Sequence, residues 1–266
     1  MSDLELSLII PLYNEAGNLA ILASEIERAL APHAGRYEVI FVDDGSTDDS
    51  PRVLAELAAK LPQVRVLRSR RNQGQSAALA AGFAAARAPV VVTLDADLQN
   101  DPADVPILLA ALEGCDVVSG VRHQRRDNWR RRLASRIANR VRNAVVHDGV
   151  SDVGCSLKAY RTELLRRIPV FDGMHRFLPA LLRMEGARIK EVPVRHRPRV
   201  HGTSKYTISN RLWRGILDLL GVRWLALRHV DPRLVEEVTP LRRPATPDAQ
   251  PSLRLVSPPA KAADEA

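Results

Sequence analysis

Cysteine is scarce in this 266-residue chain: only Cys115 and Cys155 occur, far apart, with no CxxC and no Cys/His cluster. That excludes a disulfide framework and a zinc site, and it suits a reducing compartment. No apolar run reaches the roughly 18 residues that a membrane-crossing helix needs. The N-terminus, MSDLELSLIIPLYNE, is acidic where a secretion signal would be basic, and its apolar stretch is short. Aromatic residues make up only 4% of the chain. Neither GxGxxG nor GxxxxGK[ST] occurs, which removes the glycine-rich phosphate loops of dinucleotide-binding and P-loop proteins. What the chain has in excess is positive charge: a formal net charge of +8 and a pI near 10.1 point to a negatively charged partner.

Short apolar runs (LSLIIPLY, YEVIFVDD, VRVLRS, VVVTLD and DVVSGV) alternate with helix-like stretches such as 18–31 and 76–86. This is the pattern of βαβ units, and it predicts an α/β fold with a mostly parallel sheet and helices on both faces. Ser50 before Pro51 and Asp101 before Pro102 predict helix starts, each a capping residue followed by proline. In open α/β sheets ligands gather beyond the carboxyl ends of the strands, where PLYNE, VDDGSTD and DADLQ all fall, so three acidic loops should converge on one crevice.

VDDGSTDDS supplies Asp43, Asp44, Ser46 and Asp48, and DADLQ supplies Asp95, Asp97 and Gln99. Carboxylates this dense need a cation or hydrogen-bond donors between them. Oxygen ligands select a hard ion, Mg2+ or Mn2+, which shares its remaining positions with water and substrate phosphates. The alternative for Asp43, Asp44 and Asp48 is that they shape a turn and cap the next helix, as Asp routinely does.

In their order, PLYNE, VDDGSTDDS, RNQGQSAALAAG and DADLQNDP resemble the catalytic domain of glycosyltransferase family 2. More narrowly, they are similar to the polyprenyl-phosphate glycosyltransferases, over roughly residues 6–206. The resemblance implies a GT-A (Rossmann-like) fold, a nucleotide-sugar donor linked through UDP or GDP, a divalent metal and inversion at the anomeric carbon. It places Pro11, Tyr13, Glu15, Asp43, Asp44 and Asp95 on the donor nucleotide. The metal falls to Asp95, Asp97 and Gln99. Among the nine arginines between Arg122 and Arg142, it matches Arg122, Arg131 and Ser135 to an acceptor phosphate. Arg199 and Lys205 of RPRVHGTSKY belong to a loop that would close over phosphates, and Asp152 faces the acceptor. Lys158 stands where relatives often carry arginine. The catalytic set is then Asp97, Asp152 and Arg131.

Nucleic acid is not an expected partner: no recognised binding motif is present, aromatics are few, and an acidic crevice adjoins the basic run. The segment Ile208 to Val230 carries Ile208, Leu212, Trp213, Ile216, Leu217, Leu219, Leu220, Trp224 and Leu227 on one half of a helix. Such a helix suits the headgroup region of an anionic leaflet, packing on the catalytic domain, or a membrane protein partner. The expectation is a cytoplasmic enzyme, peripheral on the inner face of the membrane, with a polyprenyl phosphate such as undecaprenyl phosphate as acceptor. Self-association is left open. The domain expectation is a catalytic domain over 1–206, amphipathic helix over 207–230 and a disordered tail over 231–266, where prolines, alanines and scattered charges show no period.

Overall fold

The structure is a computed structural model that describes residues 4–122, 142–146, 148–198 and 208–230, the first seven of the last stretch by backbone alone. A seven-stranded sheet runs in the order β3-β2-β1-β4-β6-β5-β7. Its strands are β1 (Leu6–Leu12), β2 (Tyr37–Asp43), β3 (Val64–Arg68), β4 (Val90–Thr93), β5 (Val117–Arg122), β6 (Lys158–Arg161) and β7 (Ile189–Val194). Every pairing is parallel except those of β6, which runs against both β4 and β5. β1 and β2 are buried along their whole length, as expected for central parallel strands covered on both faces. Pro193 falls in β7, an edge strand, where its missing N–H is tolerated.

Helices cover both faces of the sheet. On one, Leu6, Leu8 and Ile10 meet Leu19, Leu22 and Ile26 of α1 (Ala16–Ala29), Leu54 of α2 (Ser50–Lys60) and Leu108 of α4 (Val105–Ala111). On the other, Ile9, Ile40 and Val91 meet Leu79 and Phe83 of α3 (Gln75–Ala85) and Leu181 of the helix Leu178–Met184. The small residues of α3 let it lie close to β1: a Cβ on Gly82 would sit 2.4 Å from Ile9 Cγ2. A last helix, Ile208–Leu227, adds Val222 and Leu219 to this second face.

Because β6 alone runs against the other six strands, one rim of the sheet collects the carboxyl ends of those six, with β1, β2, β4 and β5 towards its middle, and the entry to β6. Leu12 pairs with Asp43, and Lys158 lies between Thr93 and Ser119. The Ser50 cap expectation needs correction. Asp49 occupies the cap position of α2, and the Ser50 hydroxyl instead accepts the Glu15 N–H at 3.0 Å. Asp101 does cap, accepting the Ala103 N–H at 3.0 Å ahead of a single 3-10 turn.

Candidate active site

The loops after β1 and β2 are sewn together by polar side chains. Asn14 has a left-handed backbone (φ 57°), which asparagine tolerates better than most residues. Its amide oxygen accepts the Thr47 N–H at 2.7 Å, and its own N–H donates to Ser46 Oγ at 2.9 Å. Asp43 Oδ1 accepts the Ser46 N–H at 2.8 Å, and Arg68 Nε lies 3.3 Å from Asp43 Oδ2, a charge contact without hydrogen-bond alignment. Asp48 takes the N–H groups of Ala16 and Ser50. Burial works to raise the Asp48 pKa, but the hydrogen bonds made by Ser50 and Ala16 outweigh it and leave the pKa below the ordinary carboxylate value.

Asp44 reaches the other way, accepting the N–H groups of Gln73 and Gly74 at 2.8 and 2.7 Å. Gly45 allows this closeness, since a Cβ there would stand 2.7 Å from the Arg71 carbonyl carbon. The next residue, Gln75, opens α3 and donates through Nε2 to Asp95 Oδ1 at 3.0 Å. Asp44, Gly74, Gln75 and Asp95 therefore form one chain of contacts from β2 to β4. The turn-shaping alternative fits Asp43 and Asp48, which accept the Ser46 and Ser50 N–H groups, whereas Asp44 accepts from Gln73 and Gly74 and ties the loop after β2 to the start of α3. Pro11 is buried in β1 beside Val42, and Tyr13 and Glu15 are half-buried just beyond the end of that strand.

The loop after β4 is a tight turn around Leu98, which is buried and left-handed (φ 61°), an uncommon conformation for a branched side chain. Asp97 Oδ1 accepts the Gln99 N–H at 3.1 Å, and the half-buried Gln99 offers its carbonyl to the Arg197 N–H at 2.7 Å. Arg197 also binds Glu25 at 2.8 and 2.9 Å and Asp101 at 2.7 Å, while Arg195 takes Asp104 at 2.8 Å. Burial opposes ionisation of Asp101, but Arg197 and the Ala103 N–H prevail and lower its pKa.

Across the rim, Arg122 at the end of β5 holds Asp152 in a two-pronged pair, Nε to Oδ2 at 2.8 Å and a terminal nitrogen to Oδ1 at 2.7 Å. Sequence reasoning named both residues but not their union, which takes up part of the Arg122 donor set that a phosphate would use. It also missed the depth of Lys158, which is 3% exposed and donates to the carbonyls of Val153 and Cys155. Burial pushes the Lys158 pKa below the usual lysine value, against the attraction of Cys155, Asp152 and Asp95. Arg131, Ser135, Arg199 and Lys205 lie outside the described residues.

For a divalent cation, the loop after β4 offers only oxygen donors, Asp95, Asp97 and Gln99, a set that fits Mg2+ or Mn2+. Among the described residues no group of three or more His, Cys, Asp or Glu could hold a metal alone.

Residues 7–169 match the family model described as glycosyl transferase family 2. The chain belongs to glycosyltransferase family 2. Among the curated relatives of this glycosyltransferase is dodecaprenyl-phosphate galacturonate synthase of Rhizobium johnstonii, 38% identical over 84% of this chain and 67% of that one. Another is undecaprenyl-phosphate 4-deoxy-4-formamido-L-arabinose transferase of Edwardsiella ictaluri, 40% identical over 77% and 65%. The chain spans about two thirds of the length of these relatives. Glucosyl-3-phosphoglycerate synthase from Mycobacterium tuberculosis, solved with Mn2+ and uridine diphosphate, superposes at a TM-score of 0.61 with 20% identity, covering 86% of this chain and 81% of that one. A mannosyltransferase from Pyrobaculum calidifontis, solved with GDP-Man and Mn2+, gives 0.59 and 22% over 85% and 65%. These establish that this glycosyltransferase has the GT-A fold.

The helix Ile208–Leu227 completes the picture of the described surface. Arg176 lies 3.8 Å from Asp218 of this helix, and Gly173 abuts the same aspartate. The Gly173 N–H donates to Ser76 Oγ of α3 at 3.0 Å, and His175 Nδ1 meets that hydroxyl at 2.7 Å. Among the described residues the outer stripe of the helix is exposed: Ile216, Leu217, Leu220, Trp224 and Leu227 are 41% to 69% exposed. Arg228 stacks 5.7 Å from the Trp224 ring centre. No helix among the described residues is long and apolar enough to cross a membrane.

Proposed function

We propose that this glycosyltransferase moves a sugar from a nucleotide-diphosphate sugar to a polyprenyl phosphate, with inversion, at the inner face of the cytoplasmic membrane. The observation that carries the reading is the pair of relatives, 38% and 40% identical, whose names specify polyprenyl-phosphate acceptors. The rim supports it, with carboxylates at the end of β4 on one side and the Arg122–Asp152 pair at the end of β5 on the other.

Asp95, Asp97 and Gln99 would hold the divalent cation, which when bound offsets charge on the departing diphosphate. Tyr13, Glu15, Asp43 and Asp44 form the nucleoside wall. A phosphate monoester has a second pKa near 6 and is largely a dianion at neutral pH. Its oxygen therefore attacks the anomeric carbon without a strong base as the bond from that carbon to the diphosphate oxygen breaks. The chain's part is to orient and to stabilise charge: Arg122 and Arg131, with Ser135, Arg199 and Lys205, on the phosphates, and Asp152 fixing Arg122.

The exposed stripe of Ile208–Leu227 supports attachment to an anionic leaflet, apolar side chains in the acyl boundary and arginines among the headgroups. Radiolabelled transfer from a UDP- and GDP-sugar panel to undecaprenyl phosphate, with and without Mn2+, tests the reaction. Product requiring both lipid phosphate and cation is expected, and donor consumption indifferent to the lipid would refute the acceptor.

A further inference from the structure

Lys158 is a buried charged side chain that the proposed reaction does not use. It stands at the first position of β6, flanked by Thr93 of β4 and Ser119 of β5, directly beneath the rim. Burying an ammonium group costs stability unless its donors find partners. Here the partners are the carbonyls of Val153 and Cys155, not a carboxylate. Both carbonyls belong to the short segment 152–156 that crosses the rim on its way into β6.

That segment has three anchors. At its start, Asp152 grips Arg122. At its end, the Ser156 carbonyl accepts Thr93 Oγ1 at 2.6 Å, and Ser156 Oγ accepts Asn100 Nδ2 at 2.7 Å, which ties the segment to the loop after β4. Lys158 is the anchor in the middle. Arg122 lies so close over Gly154 that a Cβ there would stand 2.9 Å from its guanidinium. A shift of the segment therefore moves Arg122 as well as Asp152. An ammonium has three donors and an amine two, so both carbonyls are served in either protonation state.

We propose that Lys158 is a positioning residue for the acceptor side of the site: by holding the Val153 and Cys155 carbonyls it sets where the Asp152–Arg122 pair stands relative to Asp95 and Asp97. The assignment of that pair to the acceptor rests on the proposed function. Lys158 touches no substrate itself. Its effect is exerted chiefly through the segment, so it falls on acceptor use more than on the nucleoside wall of β1, β2 and α3, although its charge also reaches Asp95.

The test uses the full chain with Lys158→Met, which fills the space without donors, and Lys158→Arg, which restores them. Three quantities are measured: steady-state transfer to undecaprenyl phosphate, calorimetric binding of the nucleotide diphosphate with Mn2+, and hydrogen exchange across residues 148–160. In Lys158→Met, acceptor kcat/KM should fall by about tenfold to a hundredfold, the scale of a misplacement near one ångström. Nucleotide affinity should stay within about twofold. Exchange should quicken over 150–157 and not over β1 or β2, and Lys158→Arg should recover most of the loss. Wild-type acceptor kinetics or unchanged exchange in Lys158→Met would overturn the proposal, as would parallel loss of donor binding with a collapsed melting transition. If Lys158→Met does not fold, Lys158→Gln is read by the same criteria. If the wild-type chain transfers nothing to a polyprenyl phosphate, the function reading fails by itself, and exchange over 150–157 still decides whether Lys158 holds the segment.

Discussion

The donor rim and the C-terminal helix treat water in opposite ways. At the rim, Asp43, Asp44 and Asp48 are met by N–H groups of their own chain, so the loops stand in one arrangement before any ligand arrives. On the helix, Ile216, Leu217, Leu220, Trp224 and Leu227 are 41% to 69% exposed among the described residues, with Arg228 stacked on Trp224. On the proposed function, the difference follows from what each surface would bind. A nucleotide and its cation are recognised by directed bonds whose geometry must be held in advance. A lipid interface is recognised by apolar area and charge, which need only face the right way. The rim should be intolerant of isosteric change, whereas the helix should accept any apolar residue and reject polar ones.

The largest break is expected at Asp97. Asp97→Asn keeps the shape and removes the charge, and turnover with saturating donor should drop by about 10² or more, with the melting temperature unchanged. Turnover like wild type at limiting Mn2+ would remove Asp97 from the metal site.

Asp44→Ala strikes the rim's rigidity rather than its chemistry. Two N–H groups lose a charged acceptor, and urea unfolding should show a loss of about 3 kcal/mol. Nucleotide affinity should weaken along with it, because Gln75 and Asp95 hang on the same chain of contacts. A variant that unfolds earlier yet binds nucleotide fully would uncouple the two.

On the helix the order reverses. Leu220→Ser with Trp224→Ser should cut co-sedimentation with phosphatidylglycerol vesicles by about tenfold or more, while stability changes by no more than about 0.5 kcal/mol at each site, as for exposed positions. Rising salt should weaken the remaining binding as the arginines are screened. Vesicle binding that survives with a sharply lowered melting temperature would mean that the stripe packs against protein.

The smallest effect is on acid stability. Burial works to raise the Glu38 pKa, but hydrogen bonds from Ser7, Arg65 and the Arg87 N–H outweigh it, and Asp101 is likewise lowered. Groups lowered on folding stabilise above their unfolded pKa, near 4, and that stability is lost as pH falls through the folded value. Melting temperature should therefore hold from pH 7 to about 5 and decline below 4. Arg65→Met should flatten the Glu38 part of the decline.

Five of the six strands that run parallel were legible because short apolar runs are local signals, and DADLQ marked the rim because its acids end such a run; β7, with its exposed and half-buried positions, was not legible. Asp101 before Pro102 gave a cap that the structure keeps. Ser50 misled because its hydroxyl is claimed by Glu15, 35 residues away, and no local rule sees that partner. The four-residue β6 and the burial of Lys158 are tertiary outcomes: KAYR carries no alternating pattern, and its direction is set by the two strands it joins. Arg122 and Asp152 were each visible as charges, but their union depends on β5 and the 152–156 segment meeting at one rim.

The reversed strand also bears on how enzymes of this shape can be recombined. β6 is hydrogen-bonded to β4 on one side and β5 on the other, so under the proposed function it is the seam between the strands assigned to the donor, formed early in the chain, and the strand assigned to the acceptor, formed later. A chimera that exchanges acceptor preference cannot join donor module to acceptor module at the simple boundary after β4. It must carry residues 152–161 with whichever partner supplies Thr93 and Asn100, or the graft will arrive with its seam unstitched.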